Sequence, residues 1–229
     1  MISVVIPTLN AEHHLARTLT ALVPAAVDGV VREVIIADGG STDATEAIAE
    51  AAGATFIKTD RGRGQQLQAG AGRAKCRWLL FLHADTVLQP PWEEEAVRFM
   101  RAVDLGERGE AAGAFRFALD DGGPWARLLE AMVHLRCLLL CLPYGDQGLL
   151  ISRKLYDEVG GFQPLSLMED VDMVRRLGRR RIARLRAAAL TSSRRYRAGG
   201  YGYRTLRNLT CLTLYYMRVP PRYIVKLYG

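Results

Sequence analysis

The nine residues from Trp78 to Thr86 constrain the fold more than any other stretch of the chain. Trp78 to Leu82 are all apolar, and so short a run predicts a strand buried on both faces of a parallel sheet. His83, Asp85 and Thr86 come at the carboxyl end of that strand, where open α/β sheets bind their ligands. Asp85 is suited to hold a divalent metal through its oxygens. It is also suited to cap a helix that starts near residue 90.

The remainder of the chain alternates between short apolar strands and helical segments, which is typical of an α/β fold. We expect one domain over residues 1–190, with a mostly parallel central sheet flanked by helices, and a basic C-terminal helical extension over residues 191–229. The predicted strands cover residues 2–6, 34–37, 54–58, 78–82, 112–119, 149–151 and part of 182–190. The predicted helices cover residues 11–22, 125–142, 168–177 and 209–217, together with one helix ending at 53, one ending near 75 and one starting near 90.

Polar side chains follow most of the predicted strands. Because parallel strands end at the same edge of a sheet, several of these side chains are expected on one rim. Asp43, with Glu46 three residues on, resembles a capping box, which leaves Asp38 as the better ligand candidate in its loop. The polar strand ends are Thr8 to Asn10, Asp38, Arg61 to Arg63, His83 and Asp85, Asp146 and Gln147, and Glu169 and Asp170.

This set of residues favours a displacement reaction with a diphosphate leaving group. A metal held by Asp85 would neutralise the diphosphate, and Arg61 and Arg63 would hold the rest of its charge. A carboxylate of Glu169 or Asp170 could take the proton of an attacking hydroxyl group. Acids at the start of a helix are also favoured by the helix dipole alone, so this residue pattern has a purely structural interpretation as well.

The glycine-rich loop at Gly62 supports a different enzyme. The order of elements around Gly62 imitates a dinucleotide-binding fingerprint. It consists of a strand, the pattern Gly62-x-Gly64, a helix, and an acid some twenty residues later. Leu67 stands where the third glycine belongs, so the fingerprint is incomplete. An NAD(P)-dependent oxidoreductase is therefore an alternative hypothesis for this chain.

The charge is distributed unevenly along the chain. Residues 171–229 contain 15 Lys and Arg against one acid, whereas residues 1–170 contain 16 against 23. A basic end of this kind indicates an anionic partner, either a membrane surface, a phosphorylated substrate or nucleic acid. Its arginines alternate with tyrosines, which suits a helix lying in a membrane interface. It suits equally a helix that docks on the body of the protein or on a second subunit, and a non-catalytic basic binding module remains an alternative.

Several features bear on the cellular location. The N-terminus has neither a basic segment nor a small-residue cleavage site, so it reads as a first strand and not as a signal peptide. The four cysteines lack CxxC spacing, and we expect reduced thiols in a cytoplasmic protein, with the basic extension able to reach the inner face of a membrane. The apolar helix over 125–142 contains Arg127, Glu130 and Arg136, which argues against a transmembrane span.

Four segments together carry a family resemblance. In their sequence and order, these segments resemble the family 2 glycosyltransferases of the GT-A fold. They are residues 3–10 (SVVIPTLN), 38–43 (DGGSTD), 82–85 (LHAD) and 169–172 (EDVD). The forms LHADT and YGDQ are similar to a bacterial subgroup described as arsenosugar-biosynthesis-type glycosyltransferases. The resemblance extends from residue 1 to about residue 180.

The resemblance implies roles for individual residues. Pro7, Thr8 and Asn10 would lie in the nucleotide pocket, and Asp38 would hydrogen-bond the base or the ribose. Asp85 would bind Mg²⁺ or Mn²⁺ together with the diphosphate. Asp170, paired in sequence with Glu169, would be the general base that activates the acceptor hydroxyl, with inversion at the anomeric carbon. The remaining donor-binding candidates are Arg61, Arg63, His83 and Gln147.

Two departures from the family pattern qualify these roles. His83 replaces the first acid of the DxD element, so the predicted metal site has one carboxylate fewer. The Gln-x-x-Arg-Trp element of processive synthases is absent, which predicts transfer of a single sugar. We expect a nucleotide-sugar donor, UDP-linked, an acceptor that is either lipid-linked or a small metabolite, and no nucleic acid partner.

Overall fold

A computed structural model of the chain describes residues 1–165, 167–217, 219–220, 223–224 and 227. Its centre is one eight-stranded sheet, in the spatial order β3-β2-β1-β4-β7-β6-β8-β5. The strands are β1 (Ile2–Thr8), β2 (Val31–Asp38), β3 (Thr55–Lys58), β4 (Trp78–Phe81), β5 (Thr86–Leu88), β6 (Ala112–Leu119), β7 (Leu149–Ser152) and β8 (Ile182–Thr191).

The pairing of the strands confirms a mostly parallel sheet. β1 lies between β2 and β4 and is parallel to both, and β2 is parallel to β3. β7 is antiparallel to both of its neighbours, β4 and β6. β8 is parallel to β6 and antiparallel to β5 at the edge of the sheet. The strand ends of the parallel half, from β3 to β4, therefore meet on one rim.

Helices cover both faces of the sheet, and the alternation of side chains along the strands explains why. In β1, Val4 and Ile6 point into one core with α1, α2, α3 and α5, whereas Val5 points into a second core with α4, α7 and α8. The helices are α1 (Glu12–Thr20), α2 (Val23–Val27), α3 (Thr45–Ala51), α4 (Arg63–Arg73), α5 (Trp92–Asp104), α6 (Pro124–Leu140), α7 (Arg153–Glu158), α8 (Glu169–Leu177), α9 (Arg194–Gly199) and α10 (Tyr201–Tyr216).

Several elements differ from the sequence-based expectation. The helix predicted over 11–22 is shorter and is followed by a separate helix, α2, that has a proline in its first turn. The short elements β5 and α7 were not predicted, and α10 starts eight residues before the predicted 209. The helix expected near residue 90 begins at Trp92, so Asp85 does not cap it. That structural interpretation of Asp85 is wrong.

The C-terminal extension docks on the body through two apolar clusters. Tyr196 and Tyr201 pack against a cluster formed by β6 and α6. Cys211 of α10 is buried with Leu167, just before α8. Within the part of the chain that the structure describes, no helix has both the length and the apolar character that a membrane crossing requires.

Gly64 shows how closely the glycine-rich loop is packed. Its N–H donates to the carbonyl oxygen of Leu165 at 3.1 Å. A Cβ at this position would overlap the Gln163 carbonyl oxygen and would lie 2.7 Å from the backbone nitrogen of Leu165. Residues 163–165 therefore cover the surface of the loop that a dinucleotide would need to approach.

Gly64 and Gly72 of the same helix form a matched pair for testing this packing. We predict that Gly64→Ala lowers the free energy of unfolding by about 1–3 kcal/mol, because backbone atoms must move to admit the methyl group. A Cβ at Gly72 would meet nothing, so Gly72→Ala should raise stability by about 0.5–1 kcal/mol. Urea unfolding measures both, and equal effects of the two substitutions would contradict the packing described here.

Candidate active site

The rim at the ends of β1 and β2 is organised by Asp38. The carboxylate is 2% exposed; Oδ1 accepts hydrogen bonds from the hydroxyls of Thr8 at 2.7 Å and Ser41 at 2.5 Å. Oδ2 accepts from the backbone N–H groups of Gly40 at 2.9 Å and Ser41 at 2.7 Å. Burial opposes ionisation of Asp38, but these hydrogen bonds outweigh it and hold its pKa below the usual range. In this conformation Asp38 shapes the loop, and its contact with a base or ribose remains a prediction.

The loop after β1 is bound to the same turn. Asn10 adopts a left-handed backbone with φ of 50°, its N–H donates to Ser41 Oγ at 2.8 Å, and its Oδ1 accepts from the Thr42 N–H at 3.0 Å. Pro7 is buried within β1, opposite Ala37 of β2. The strand ends of β1 and β2 therefore form one rigid unit on which the predicted nucleotide pocket would be built.

Asp43 has the structural role that was predicted, in a different form. Its carboxylate accepts from the backbone N–H groups of Thr45 at 3.0 Å and Glu12 at 3.1 Å, which joins the starts of α3 and α1. The residue that precedes α3 is Ala44, so the expected capping box from Asp43 to Glu46 does not form.

A cleft lies beside this rim, between α4, the end of β4, the turn before β7 and the start of α8. Its walls are mostly apolar, and its volume is about 30 Å³. The polar side chains on its walls are Arg63, His83, Tyr144, Glu169 and Asp170.

Arg63 connects three walls of the cleft. Its Nε lies 3.0 Å from Oε1 of Glu169, and its Nη2 contacts Nε2 of His83. Glu169 is 1% exposed, and burial raises its pKa to about 7, with Arg63 opposing the rise and Asp170 adding to it. Two of the residues predicted as donor ligands, Arg63 and His83, are thus brought together with one of the two predicted catalytic acids.

Asp170, next to Glu169, is half-buried and lines the cleft. Its Oδ2 accepts the backbone N–H of Gly145 at 2.8 Å, and its Oδ1 accepts the N–H of Val171 at 2.8 Å. Gly145 can approach this closely because it lacks a side chain: a Cβ there would lie 2.5 Å from His83 Nε2 and 3.0 Å from Arg63 Nη2. The carboxylate is held by backbone donors and still lines the cleft, which is the placement that a general base requires.

The turn from Tyr144 to Gln147 contributes Tyr144, to which the sequence assigned no role, and Asp146, which the sequence placed only among the polar strand ends. Oδ1 of Asp146 is buried and has no hydrogen-bond partner among the described residues. Burial raises the pKa of Asp146 to about 6, Arg136 opposes the rise, and the negative charges of Asp170 and Asp85 add to it. The guanidinium of Arg136 lies 3.6 Å from the centre of the Tyr144 ring. The signal for this turn was its Tyr-Gly-Asp-Gln sequence.

The side chain of Gln147 is buried and makes its hydrogen bonds within the protein. Its Nε2 donates to the Phe115 carbonyl at 2.9 Å, and its Oε1 accepts from the Tyr144 N–H at 3.2 Å. The side chain therefore stabilises the turn in this conformation, and its predicted contact with the donor stays a prediction. Arg61 is exposed in the loop before α4.

Asp85 follows β4 and is half-buried, as a ligand at a strand end should be. The described part of the chain contains no cluster of three or more His, Cys, Asp or Glu side chains that could by itself hold a metal. Asp85 supplies a hard carboxylate oxygen, and the buried, unpartnered oxygen of Asp146 is close enough for the two charges to interact. These donors fit Mg²⁺ or Mn²⁺ if the diphosphate supplies further oxygens, since Mg²⁺ is usually bound through one or two carboxylates plus phosphates.

The protein has the GT-A glycosyltransferase fold: its central sheet carries carboxylates at the ends of its parallel strands, and it matches solved structures of this fold. Residues 3–134, more than half of the chain, match the family model described as glycosyl transferase family 2. The chain therefore belongs to glycosyl transferase family 2, which confirms the family resemblance; the matched region contains three of the four segments, and residues 169–172 lie beyond it.

Named proteins similar to this chain include glucosyl-3-phosphoglycerate synthases. That of Mycolicibacterium paratuberculosis is 29% identical over 137 residues, which are 49% of this chain and 41% of that protein. The matched region thus spans less than half the length of that curated relative. The crystal structure of the Mycobacterium tuberculosis enzyme with Mn²⁺, UDP and glucosyl-3-phosphoglycerate is 28% identical, with a TM-score of 0.58 over 82% of this chain and 70% of that chain. The same enzyme with Mg²⁺ and UDP gives 25% identity and a TM-score of 0.61, over 91% and 78%.

Family membership and packing together disfavour the dinucleotide hypothesis. The chain matches a glycosyltransferase family over the region that contains the Gly62 loop. Gly64 packs against the backbone of residues 163–165, so its missing side chain serves internal packing and leaves no open approach for a pyrophosphate.

The raised pKa of Glu169 predicts a dependence of stability on pH. Between 4.5 and about 7 the folded protein keeps a proton on Glu169 that the unfolded chain has lost. This contribution to stability is therefore fully present below the unfolded pKa and is lost as the pH rises through the folded pKa. We expect Glu169→Gln to flatten the fall in unfolding free energy over this pH range.

Urea unfolding at a series of pH values measures this slope. Asp146 has a pKa raised in the same direction, so the Glu169→Gln variant should keep a smaller residual slope. An unchanged slope in the variant would show that Glu169 is ionised in the folded protein throughout the range.

Proposed function

We propose that this chain transfers one sugar from a UDP-linked donor to an acceptor hydroxyl, with inversion at the anomeric carbon and Asp170 as the general base. The observation that carries the proposal is the placement of Asp170 on the cleft wall, with its Oδ2 held by the Gly145 N–H at 2.8 Å. Support for the donor comes from the solved relatives from Mycobacterium tuberculosis, which are complexes with UDP or UDP-glucose and with Mn²⁺ or Mg²⁺.

The proposed reaction is a single in-line displacement. Asp170 accepts the proton of the acceptor hydroxyl as its oxygen forms a bond to the anomeric carbon. The bond from that carbon to the diphosphate oxygen breaks on the opposite face, which inverts the configuration, and UDP leaves with the electron pair. Arg63, together with Arg61, would offset the charge that develops on the diphosphate.

Asp85 would hold the divalent cation against the diphosphate, with the buried oxygen of Asp146 as a nearby candidate second donor. When bound, the cation would stabilise negative charge on the leaving group. Glu169 is buried behind Arg63, so we propose that it positions the guanidinium and does not touch substrate. His83, in contact with the same guanidinium, is assigned to the donor side of the cleft and not to the metal.

The donor site is tested by thermal unfolding with UDP, GDP, ADP and NAD⁺, each with and without Mn²⁺. A ligand that binds only the folded state stabilises it by about 2.7 kcal/mol at a concentration 100 times Kd. We expect a rise in Tm with UDP that depends on Mn²⁺ and is lost in Asp85→Ala. Asp157→Asn, an exposed carboxylate on α7, is the control and should keep the full response. A response to NAD⁺ alone would overturn the proposal.

The role of Asp170 is tested by Asp170→Asn. The amide keeps the shape of the side chain but cannot accept the proton, so turnover should fall by about 10²–10⁴-fold. UDP binding, measured by isothermal titration, should stay close to that of the wild type. Loss of UDP binding in this variant would instead place Asp170 among the donor ligands and remove its role as base.

A further inference from the structure

Helix α6 is apolar on two opposite faces. Leu129, Val133 and Cys137 are buried on the inner face, in a cluster with Phe117 of β6. The outer face carries large apolar side chains, of which Trp125 is 65% exposed and Leu139 is 62% exposed. Exposed apolar patches on a protein surface mark interaction sites. The exposed residues are Trp125, Leu128, Met132, Leu135, Leu138 and Leu139.

Helix α10 lies against α6 and carries a second exposed apolar stripe. Successive members are three, three, seven and one positions apart, so they lie along one side of α10 and at its C-terminal cap. They are Tyr203, Leu206, Leu209, Tyr216 and Met217. We call these five residues, together with the six exposed residues of α6, the outer apolar surface.

The sequence around this surface has an excess of positive charge, although Arg127 pairs with Glu130 at 2.8 Å and Arg197 lies 4.0 Å from Asp120. Residues 191–217 contain five arginines and no acid, and α6 adds Arg127 and Arg136 against Glu130. Arg194 and Arg197 of α9 are exposed, next to the start of α10. The surface also contains Trp125, Tyr203 and Tyr216, whose rings are apolar and whose N–H or O–H groups are polar. Such side chains suit the boundary between lipid and water.

The same charge argues against self-association through this surface. A two-fold interface would place the patch of one chain on the same patch of another, and the arginine-rich segments would then face each other. Like charges that meet in an interface cost several kcal/mol, whereas an anionic surface gains from each arginine that it approaches. We infer that the outer apolar surface docks on the face of an anionic lipid bilayer.

The surface is connected to both walls of the cleft. On α6, Arg136 lies over the ring of Tyr144, a residue of the cleft. On α10, the hydroxyl of Tyr215 donates to Asp172 of α8 at 3.4 Å. A bilayer bound here would therefore hold the chain by the two helices that support the Tyr144 turn and the start of α8. The inference extends the proposed function, and it is tested independently of sugar transfer.

Cosedimentation with vesicles of phosphatidylcholine, with and without phosphatidylglycerol, tests the inference. We expect binding to the vesicles that contain phosphatidylglycerol, weakened by salt, and little binding to the neutral vesicles. Leu135→Gln/Leu139→Gln should reduce the binding about tenfold or more, because two buried apolar side chains are lost. The matched control is Val23→Gln/Val27→Gln, two exposed apolar residues of α2, which should bind like the wild type.

The outcomes separate this inference from the proposed function. Absence of binding to either vesicle, or equal loss in both double variants, would overturn the docking surface. A dimer in sedimentation velocity that only the α6 variant disrupts would also overturn it, in favour of a second copy of the chain. The Mn²⁺-dependent Tm shift with UDP is measured on the same proteins; its loss would count against the proposed function and leave the docking surface unaffected.

Discussion

The contact of Arg63 with Glu169 and His83 is the interaction on which the cleft depends. These residues come from α4, α8 and the end of β4, and they are brought together although they are 20 to 106 positions apart in the sequence. A carboxylate buried as deeply as Glu169 is costly unless a cation pairs with it or it takes up a proton. Arg63 opposes protonation, and burial favours it. Burial of Glu169 and its contact with Arg63 therefore act in opposite directions on the charge of this carboxylate.

The sheet explains why the acids of the rim have different roles. β1 lies between β2 and β4, so the ends of these two strands flank the loop that follows Thr8. Asp38, the last residue of β2, accepts hydrogen bonds from the Thr8 hydroxyl at the end of β1 and from the Gly40 and Ser41 N–H groups of its own turn. Asp85, after β4, keeps its carboxylate half-buried. One acid thus builds the rim, and the other stays available to a ligand, although both occupy the same kind of position in a parallel sheet.

The sequence predicted the elements that depend on local pattern. The apolar runs of β1 and β4 and the polar residues after them identified the strands and the rim, because a strand buried on both faces needs continuous apolar sequence. β5 escaped prediction because it has three residues and is stabilised by pairing with β8, about 100 residues later. The burial of Glu169 and the internal hydrogen bonds of Gln147 could not be predicted, since they depend on partners from distant segments. Asp146 was recognised as polar, but its burial and unpaired oxygen follow only from the packing of the turn.

Helix α6 shows the same limit most clearly. Its sequence predicted a long, largely apolar helix whose three charged residues argue against a transmembrane span, but composition cannot tell which of two apolar faces meets the sheet. Packing on β6 uses the face of Leu129 and Val133 and leaves that of Met132 and Leu135 outside. An outward apolar face is destabilising to leave in water unless something covers it for part of the time. Helix α6 leads directly into the turn that holds Tyr144 and Gly145, and the N–H of Gly145 donates to Asp170. Whatever covers the outer face of α6 therefore contacts the helix that determines the position of this donor.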